Sequence, residues 1–478
     1  MGQAGEYSKF FGRSREHQRN QRRRRARAAA LYTAAMSTSN LASLPRTAAP
    51  RILGILEYAM APRRFALRNV KHFGRCYRVR GFDGDIVVTS EPDHIKRVFG
   101  ADSDTFEPLA QNNMSGIVGK RSVLVTAGAT HRRQRKLLTP PLGGARLRAF
   151  GATIQEIADA HVSSLHVGAE LRALDLVTDF TLDVILRTVF GVTDPSETQM
   201  LRRSLRVMVH ELPALAVFEP RLQKSWFRPW ARYRQACESF DAWLREKVRA
   251  RRAQPEPGED VLSLLLSARA EDGSAMEYEE LHDQLVTLLL AGHETTSIAL
   301  ASCLEQIHFH PAVLDRLRAE LGQASASPED VQREAYLAAV IDETLRIAPV
   351  VGDVARRART EFWLDERIKL NPGQSVLVMI EALHYDPLLY PEPTRFRPER
   401  FLERKFTPYE FAPFGGGVRR CLGAAFSDYE TKIFLASVLR RVELCVTRAQ
   451  PDPRIRRNIT MGPKHGVPMR VLGLRQVN

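Results

Sequence analysis

The chain has 478 residues, 44% of them hydrophobic and 26% charged, which is the composition of a globular protein with a large core. Its formal net charge is +15, of which residues 1–27 carry +7 through eight Arg and one Lys against two Glu. The remaining +8 suits contact with an acidic protein partner and is too little to indicate nucleic-acid binding.

Cysteine usage and hydropathy exclude further classes of protein. The five cysteines are scattered and form no CxxC pair, so zinc-ribbon and thioredoxin-like chemistry are unsupported. A reducing cytoplasm is the simplest setting for such a chain. No run of about 18 apolar residues occurs, so we expect no transmembrane helix.

The first segment is strongly basic. Arg22–Arg25 precede the short apolar stretch Ala28–Ala35, which is weak for a secretory signal. We expect residues 1–44 to be a disordered leader or mis-assigned upstream sequence, with Met36 as an alternative start; a targeting presequence and a binding arm stay open. One domain is then expected over residues 45–478.

Helical and strand patterns alternate after this leader. Ile52–Ala59 and Glu91–Phe99 have helical spacing, whereas Cys76–Arg80 and Asp85–Thr89 predict a pair of strands. Residues 103–130 are irregular and predict a long loop, which in a compact protein is usually functional.

Two predicted helices carry charged side chains on one face. His131 and Arg135 are four residues apart, a pattern that alone is typical of a solvated basic surface. Further along, Glu343 and Arg346 are three apart, and such pairs are too common to indicate a function. Helical spacing also continues with few breaks over residues 147–254.

One very long helix is predicted over residues 278–308, spanning on the order of 45 Å. Its middle has the sequence Ala291-Gly292-His293-Glu294-Thr295-Thr296, where the glycine alone costs about 1 kcal/mol of helix stability. Mid-helix threonines bond back to carbonyl oxygens. The segment is therefore either a kink or a groove that admits a ligand beside the backbone.

A single cysteine stands in the stretch Phe414-Gly-Gly-Gly-Val-Arg-Arg-Cys421-Leu-Gly423, ahead of an apolar-periodic segment from Ala424 to about Leu444. This pattern predicts a loop that delivers Cys421 to the N-terminus of a helix, where a thiolate is favoured. Such a thiolate is a metal ligand or a nucleophile. A phosphate loop would need Lys-Ser/Thr next, and no cysteine-hydrolase signature surrounds Cys421; an inert buried cysteine stays open.

This stretch resembles a known signature. Phe414, Gly417, Arg419, Cys421 and Gly423 match, position by position, the haem-binding motif of the cytochromes P450. The resemblance extends from about residue 45 to the C-terminus.

The resemblance implies a cytochrome P450 fold, mainly α with a small β-rich lobe, binding haem b with Cys421 as the iron ligand. It implies a monooxygenase that activates dioxygen and inserts one oxygen atom into a substrate. Because no flavin or nicotinamide fingerprint is present, a separate ferredoxin or flavodoxin is expected to supply electrons, docking near Arg419 and Arg420. We expect a monomer.

Family motifs also assign roles to other residues. The expected haem contacts are His131, Arg135, Ala291, Gly292, Arg356, Phe414, Gly417, Arg419 and Gly423. Among them His131, Arg135 and Arg356 match propionate ligands, with Arg357 as the neighbouring alternative to Arg356. Glu294 and Thr295 match the acid–alcohol pair that relays protons to dioxygen. Glu343, Arg346 and Arg400 match a buried structural network.

The expected substrate is a lipophilic small molecule, because the candidate pocket residues are mostly apolar. These residues are Ile117, Val350, Val351 and Met461. Fatty acids and terpenoids are favoured, although steroids and polyketides also fit. Two rival functions are a peroxide-driven enzyme, which generally lacks the acid–alcohol pair, and a non-catalytic haem or ligand-binding protein.

Overall fold

The computed structural model describes residues 41–475 apart from short gaps at 49, 82–83, 110, 211–219, 255–257, 324–326 and 458. The basic leader predicted for residues 1–44, including Met36, therefore lies almost wholly outside the described residues.

Helices dominate the first part of the chain and confirm the helical spacing of the sequence. In order they are α1 (Arg51–Met60), α2 (Pro62–Phe73), α3 (Pro92–Gly100), α4 (Gln111–Val118), α5 (Gly128–Leu138), α6 (Gly144–Ala149), α7 (Gly151–Ser163), α8 (Ala173–Thr188), α9 (Pro195–His210), α10 (Arg228–Ala253) and α11 (Val261–Ser267).

The second part begins with the long helix predicted from the sequence and continues with shorter ones. These are α12 (Tyr278–Phe309), α13 (Pro311–Gln323), α14 (Pro328–Val331), α15 (Ala335–Ile347), α16 (Ile380–His384), α17 (Arg400–Glu403) and α18 (Ala424–Arg441). Short 3-10 turns occur at Leu41–Ser43, Pro140–Leu142, Pro220–Leu222 and Gly417–Arg419.

The strands are short, and those in the described part of the chain form four small sheets. They are β1 (Cys76–Gly81), β2 (Gly84–Thr89), β3 (Phe106–Pro108), β4 (Glu170–Arg172), β5 (Val354–Ala358), β6 (Phe362–Trp363), β7 (Lys369–Leu370), β8 (Ser375–Val378), β9 (Val442–Val446), β10 (Arg454–Arg457), β11 (Thr460–Pro463) and β12 (Pro468–Leu474). The largest sheet has the order β1-β2-β8-β5-β3, and it forms the β-rich lobe expected from the sequence.

Two boundary predictions were wrong. Residues 103–130 are not one irregular loop, because they contain β3 and α4 and the start of α5. Strand β3 pairs with β5, and a partner that distant in sequence leaves no local signal. The helix after Cys421 ends at Arg441 rather than near Leu444, since β9 begins there and pairs with β12.

Helix α12 is the central element of the fold. Helices α8, α15 and α18 pack around it, and most of its residues from Thr296 to Ile307 are buried. Among the described residues it is the one helix long and apolar enough to cross a membrane, yet 67% of its apolar window is buried inside the protein. Its apolarity is therefore that of a core helix.

A fully buried charge network joins α15 to the segment before α17. Both Glu343 oxygens accept from Arg346, at 2.6 and 2.8 Å, and Arg400 Nε donates to Glu343 at 3.1 Å. The backbone N–H of Arg397 donates to the same carboxylate at 2.8 Å. The remaining guanidinium hydrogens of Arg346 reach carbonyl oxygens, including that of His384 at 2.9 Å. These three charged side chains thus lie together as the family motif implies.

We predict that Arg346→Met lowers the free energy of unfolding by about 3–5 kcal/mol, because it leaves the Glu343 charge buried without its bidentate partner. Denaturant unfolding followed by far-UV circular dichroism measures the change. The exposed pair of Arg234 and Glu238, 3.4 Å apart, supplies the matched control, Glu238→Gln, which should change stability little. Equal effects of the two substitutions would show that the network does not stabilise the fold.

Candidate active site

The loop before α18 has a backbone that only glycine tolerates. Gly415 and Gly417 have φ angles of +65° and +63°, in the left-handed region. A Cβ on Gly417 would lie 1.5 Å from the carbonyl oxygen of Phe99, so no side chain fits there. The loop then closes, because the Cys421 N–H donates to the Phe414 carbonyl at 3.0 Å. This geometry holds Cys421 three residues before α18 begins.

Cys421 lies on the wall of an interior space. Burial raises the pKa of its thiol, so the sulfur is deep within the protein. Cys421 nevertheless has a large accessible surface of its own. Both observations hold when the side chain faces a cavity. The Gly423 N–H and the guanidinium groups of Arg420 and Arg135 lower the pKa of the thiol and so partly offset the effect of burial. These three groups would stabilise a thiolate.

Four basic side chains converge near this cavity. Burial, and then the nearby guanidinium groups with Arg419 first, lower the pKa of His131 to about 3. Burial and Arg419 lower the pKa of Arg356 to about 9, and burial and Arg135 lower that of Arg419 to about 10. Among the described residues no carboxylate forms a salt bridge with any of these four, and Nδ1 of buried His131 has no hydrogen-bond partner. The cluster therefore favours an anion.

The backbone fixes two members of this cluster. Arg419 donates to the Thr126 carbonyl at 2.7 Å, and Arg135 donates to the Arg420 carbonyl at 2.6 Å. Helix α5 and the cysteine loop are thereby tied together. Arg356 and Arg419 also line one small cavity beside Phe99.

The structure distinguishes Arg356 from Arg357. The two residues are successive in strand β5, so their side chains point to opposite faces of the sheet. Arg356 lines a small cavity together with Arg419, and its guanidinium is among the groups that lower the pKa of His131. Geometry thus places Arg356, and not its neighbour, in the basic cluster.

The middle of α12 presents one small residue to open space. Ala291 is exposed although it lies at the centre of a 32-residue helix. Gly292 faces another way, because a Cβ there would lie 3.2 Å from Cδ1 of Ile185 on α8. We therefore attribute the glycine to close packing of α8 against α12, whereas Ala291 has an open side.

Glu294 and Thr295 have different hydrogen-bond partners. The Thr295 hydroxyl donates to the Ala291 carbonyl at 2.7 Å, within the helix. Glu294 Oε1 instead lies 3.4 Å from the Thr460 hydroxyl on strand β11, and that hydroxyl donates its hydrogen to the Arg457 carbonyl at 2.7 Å. Burial raises the pKa of the Glu294 carboxyl, while nearby Arg457 and the Thr460 bond lower it less. The structure thus places the two residues side by side without a hydrogen bond between their side chains.

Sequence reasoning missed the role of Thr460. The only available signal was its place beside Met461 in a segment already assigned to the pocket. The neighbouring threonine on α12, Thr296, bonds to Ser427 of α18 at 3.2 Å, so it links the central helix to the helix after the cysteine.

Three of the four candidate pocket residues are buried and the fourth is half-buried. Met461 and Val350 adjoin each other, since the Met461 N–H donates to the Val350 carbonyl at 2.7 Å. Val351 is half-buried in the same turn. Ile117 is buried on α4, which packs against α12.

Arg132 and Arg133, which follow the predicted haem contact His131, form ion pairs. Arg132 pairs with Asp102 at 2.8 Å and also with Asp104, and Arg133 pairs with Glu280 at 2.9 Å. Acids on neighbouring elements therefore face Arg132 and Arg133.

Comparison with known proteins decides the family. A family model described as cytochrome P450 matches residues 44–468. The chain belongs to the cytochrome P450 family. It is accordingly a haem-thiolate monooxygenase, an oxidoreductase that uses iron protoporphyrin IX.

Curated relatives share most of the chain. Cytochrome P450 135B1 of Mycobacterium tuberculosis is 35% identical over 450 residues, covering 92% of this chain and 94% of the relative. Cytochrome P450 138 of Mycobacterium bovis is 31% identical over 426 residues, covering 88% and 94%. The solved structure of retinoic acid bound cyanobacterial CYP120A1 has a TM-score of 0.79 at 24% identity, covering 90% of this chain and 98% of that one. This last likeness shows the fold.

The residues present fit haem b. A P450 haem needs a thiolate on one side and cationic groups for two propionates. Cys421 on an interior wall and a buried basic cluster without paired acids provide those two features.

We predict that Arg356→Gln weakens haem retention, because it removes one buried cation from the propionate side. Haem content after purification and after competition with apomyoglobin measures the loss. Arg357→Gln is the matched control in the same strand and should retain haem like the parent. A loss of haem confined to the Arg357 variant would reverse the assignment.

Proposed function

We propose that this P450 hydroxylates a lipophilic small molecule, a fatty acid or terpenoid, with electrons from a ferredoxin or flavodoxin. A cytoplasmic monomer is the form proposed. The observation that carries the proposal is the set of side chains provided by the cysteine loop, the basic cluster and the middle of α12, which bonds to α18 through Thr296 and Ser427. A thiol and a basic cluster lie near the cysteine loop, and the Ala291–Thr295 segment of α12 provides a small residue, an alcohol and a buried acid.

Bound haem supplies the reductive activation of dioxygen in this reaction. Cys421 would hold the iron through its sulfur, and the Gly423 N–H with Arg420 and Arg135 would stabilise the negative charge on that sulfur. His131, Arg135, Arg356 and Arg419 are proposed to bind the propionates. Charge-assisted bonds of that kind would compensate for the burial and the repulsion by neighbouring arginines that lower the pKa of Arg356 and Arg419.

Protons are proposed to pass through Glu294 and Thr295. Burial raises the pKa of Glu294, so this carboxyl keeps its proton to a higher pH than an exposed one. In its protonated form the carboxyl can donate to the Thr460 hydroxyl on strand β11, 3.4 Å away, whose own hydrogen is bonded to the Arg457 carbonyl. The Thr295 hydroxyl donates a hydrogen bond to the Ala291 carbonyl, next to the exposed side of the helix. A rotation of either side chain would bring acid and alcohol together.

The substrate class rests on the apolar residues of the proposed pocket. Val350 and Met461 are buried and adjoin one another, and Ile117 lies on another element packed against α12. Apolar walls of this kind bind a ligand by removing its hydrocarbon surface from water. Lipophilic molecules therefore fit better than charged metabolites.

Electron delivery is proposed to occur at the surface beside the cysteine loop. The family uses a separate redox partner, and Arg420 is exposed there. Arg419 is not available for the same contact, since it turns inward to the Thr126 carbonyl. The proposed docking site is therefore centred on Arg420 alone, facing an acidic ferredoxin or flavodoxin.

We predict that Glu294→Gln and Thr295→Ala each slow product formation by about a hundredfold, as loss of a general acid does. Reduced cofactor would still be consumed, so the ratio of product to electrons falls. The acid acts in its protonated form, so the parent rate should decline as pH rises through the raised pKa of Glu294. The Gln variant should lack that decline.

Thr296→Val is the matched control, because this adjacent threonine bonds to Ser427 instead. It should couple electrons to product like the parent. Turnover with peroxide that survives Thr295→Ala, together with dioxygen turnover unaffected by the same change, would favour the peroxide-driven rival.

Optical titration of the purified holoprotein with a panel of fatty acids and terpenoids tests the substrate class. We expect one class to shift the haem absorption band and to be oxidised when a reductase system is added. Haem that responds to neither class would contradict the proposed substrates. A ligand that binds but is never oxidised by a competent reductase system would favour the non-catalytic rival.

A further inference from the structure

Strand β10 carries an arginine that bonds to neutral groups. Arg454 as a whole is half-buried, whereas its Nε is shielded from solvent and has no hydrogen-bond partner among the described residues. Burial lowers the pKa of its guanidinium to about 10, and nearby Arg63 acts in the same direction. Glu305 and Glu381 raise that pKa, but in the described part of the chain neither forms a salt bridge with Arg454. Because burying a cation costs free energy, its other partners deserve an explanation.

The guanidinium of Arg454 joins three segments of the chain. One nitrogen donates to the Ser302 hydroxyl on α12 at 2.6 Å, and that hydroxyl donates in turn to the Ile298 carbonyl at 2.6 Å. A second nitrogen donates to the Met461 carbonyl of β11 and, at a longer 3.5 Å, to the Ala348 carbonyl. Since a guanidinium is planar and presents its N–H groups in fixed directions, it fixes the relative positions of these acceptors.

The start of β10 is anchored on the same face of α12. The Asp452 N–H donates to buried Glu305 at 2.6 Å, and Glu305 lies three residues after Ser302 on that helix. The Asp452 carboxylate accepts from the His465 N–H at 2.8 Å. The backbone from which the arginine extends is therefore held against the central helix.

The turn after α15 is bonded to its neighbours along its whole length. Its first carbonyl, that of Ile347, accepts from Arg63 at 2.8 Å and from the Tyr385 hydroxyl at 2.9 Å. Its last carbonyl, that of Gly352, accepts from the Glu381 N–H at 2.9 Å. The residues between them bond to β11 and to the arginine of β10. This middle part of the turn carries two of the proposed pocket residues.

We propose that Arg454 is a positioning residue that sets the shape of the substrate pocket. It holds Met461 and the turn of Val350 at a fixed distance from α12. Replacing a buried charged group by an apolar one is often neutral or stabilising, so the arginine is better explained by the geometry it imposes than by stability. It acts on a ligand only through the pocket wall. The proposal rests on the pocket of the proposed function, but not on which lipophilic molecule is oxidised.

Binding of two haem-iron ligands to the purified holoprotein tests the proposal. Imidazole needs only the iron, whereas the chain of 1-dodecylimidazole must also lie along the apolar walls of the pocket. We expect the parent to prefer 1-dodecylimidazole. Arg454→Met should bind this ligand at least about tenfold more weakly, because the wall loses its charged hydrogen bonds, and should bind imidazole like the parent.

Two further variants separate position from stability. Arg454→Lys keeps the charge and a donor, so it should recover part of the lost affinity for 1-dodecylimidazole. Ser302→Ala removes only the bond to α12 and should weaken binding of the same ligand by less than Arg454→Met does. Haem absorption of each purified variant measures whether the cofactor is retained.

Arg456→Met is the matched control. Arg456 lies on the same face of β10, but it pairs with Asp353 at 3.5 Å and lies over the ring of Tyr58. Its ratio of the two affinities should equal that of the parent. A parental ratio in Arg454→Met would overturn the proposal, as would an equal loss of both ligands, which would indicate a structural role only. If Arg454→Met does not retain haem, parental ratios in both Arg454→Lys and Ser302→Ala would overturn it instead.

The same titrations distinguish this inference from the proposed function. A parent that binds the two ligands equally would contradict the lipophilic pocket and the inference with it. A parent that prefers the dodecyl chain, together with an Arg454→Met variant that does the same, would contradict the inference alone.

Discussion

The structure depends on buried positive charge that the protein does not neutralise by itself. Burial, and then nearby guanidinium groups, lowers the pKa of His131, Arg356 and Arg419, which lie together beside the cysteine loop. Burying guanidinium groups without a carboxylate partner costs free energy, so this part of the fold suits an anionic group. Haem, with two propionates, meets that requirement. Cofactor binding and folding are therefore coupled in this protein.

The buried charge of Glu343, by contrast, is neutralised by groups of the protein itself. There the protein supplies every partner, with two arginines and a backbone N–H on one carboxylate and carbonyl oxygens on the arginines. A complete network of this kind fixes the position of the segment before the cysteine loop. The Glu343 network thus stabilises the scaffold, whereas the basic cluster beside the cysteine loop is suited to bind an anionic ligand.

Local signals in the sequence were sufficient for much of the fold. The helix over Tyr278–Phe309 and the strand pair β1–β2 follow from spacing alone, and the glycines around Cys421 predicted the tight loop. What escaped prediction depends on partners distant in the chain. Strand β3 pairs with β5, which lies far along the chain, and Glu294 lies 3.4 Å from the hydroxyl of Thr460, 166 residues away.

Side-chain direction was the other limit of sequence reasoning. Arg356 and Arg357 are equivalent in sequence, and only the pleat of β5 separates them. Similarly, Ile185 of α8 occupies the space that we expected beside Gly292, while the neighbouring Ala291 is exposed. A motif identifies the residues of a site, but the packing around it decides what each one faces.

The most direct test of this account is the absorption spectrum of the reduced, carbon-monoxide-bound holoprotein and of its Cys421→His variant. Axial-ligand identity controls the electronics of haem, so the parent should give the spectrum typical of thiolate ligation. The variant should retain haem and give the spectrum of an imidazole-ligated protein. A thiolate-type spectrum that persists without Cys421, or a parent that never shows one, would contradict the central claim.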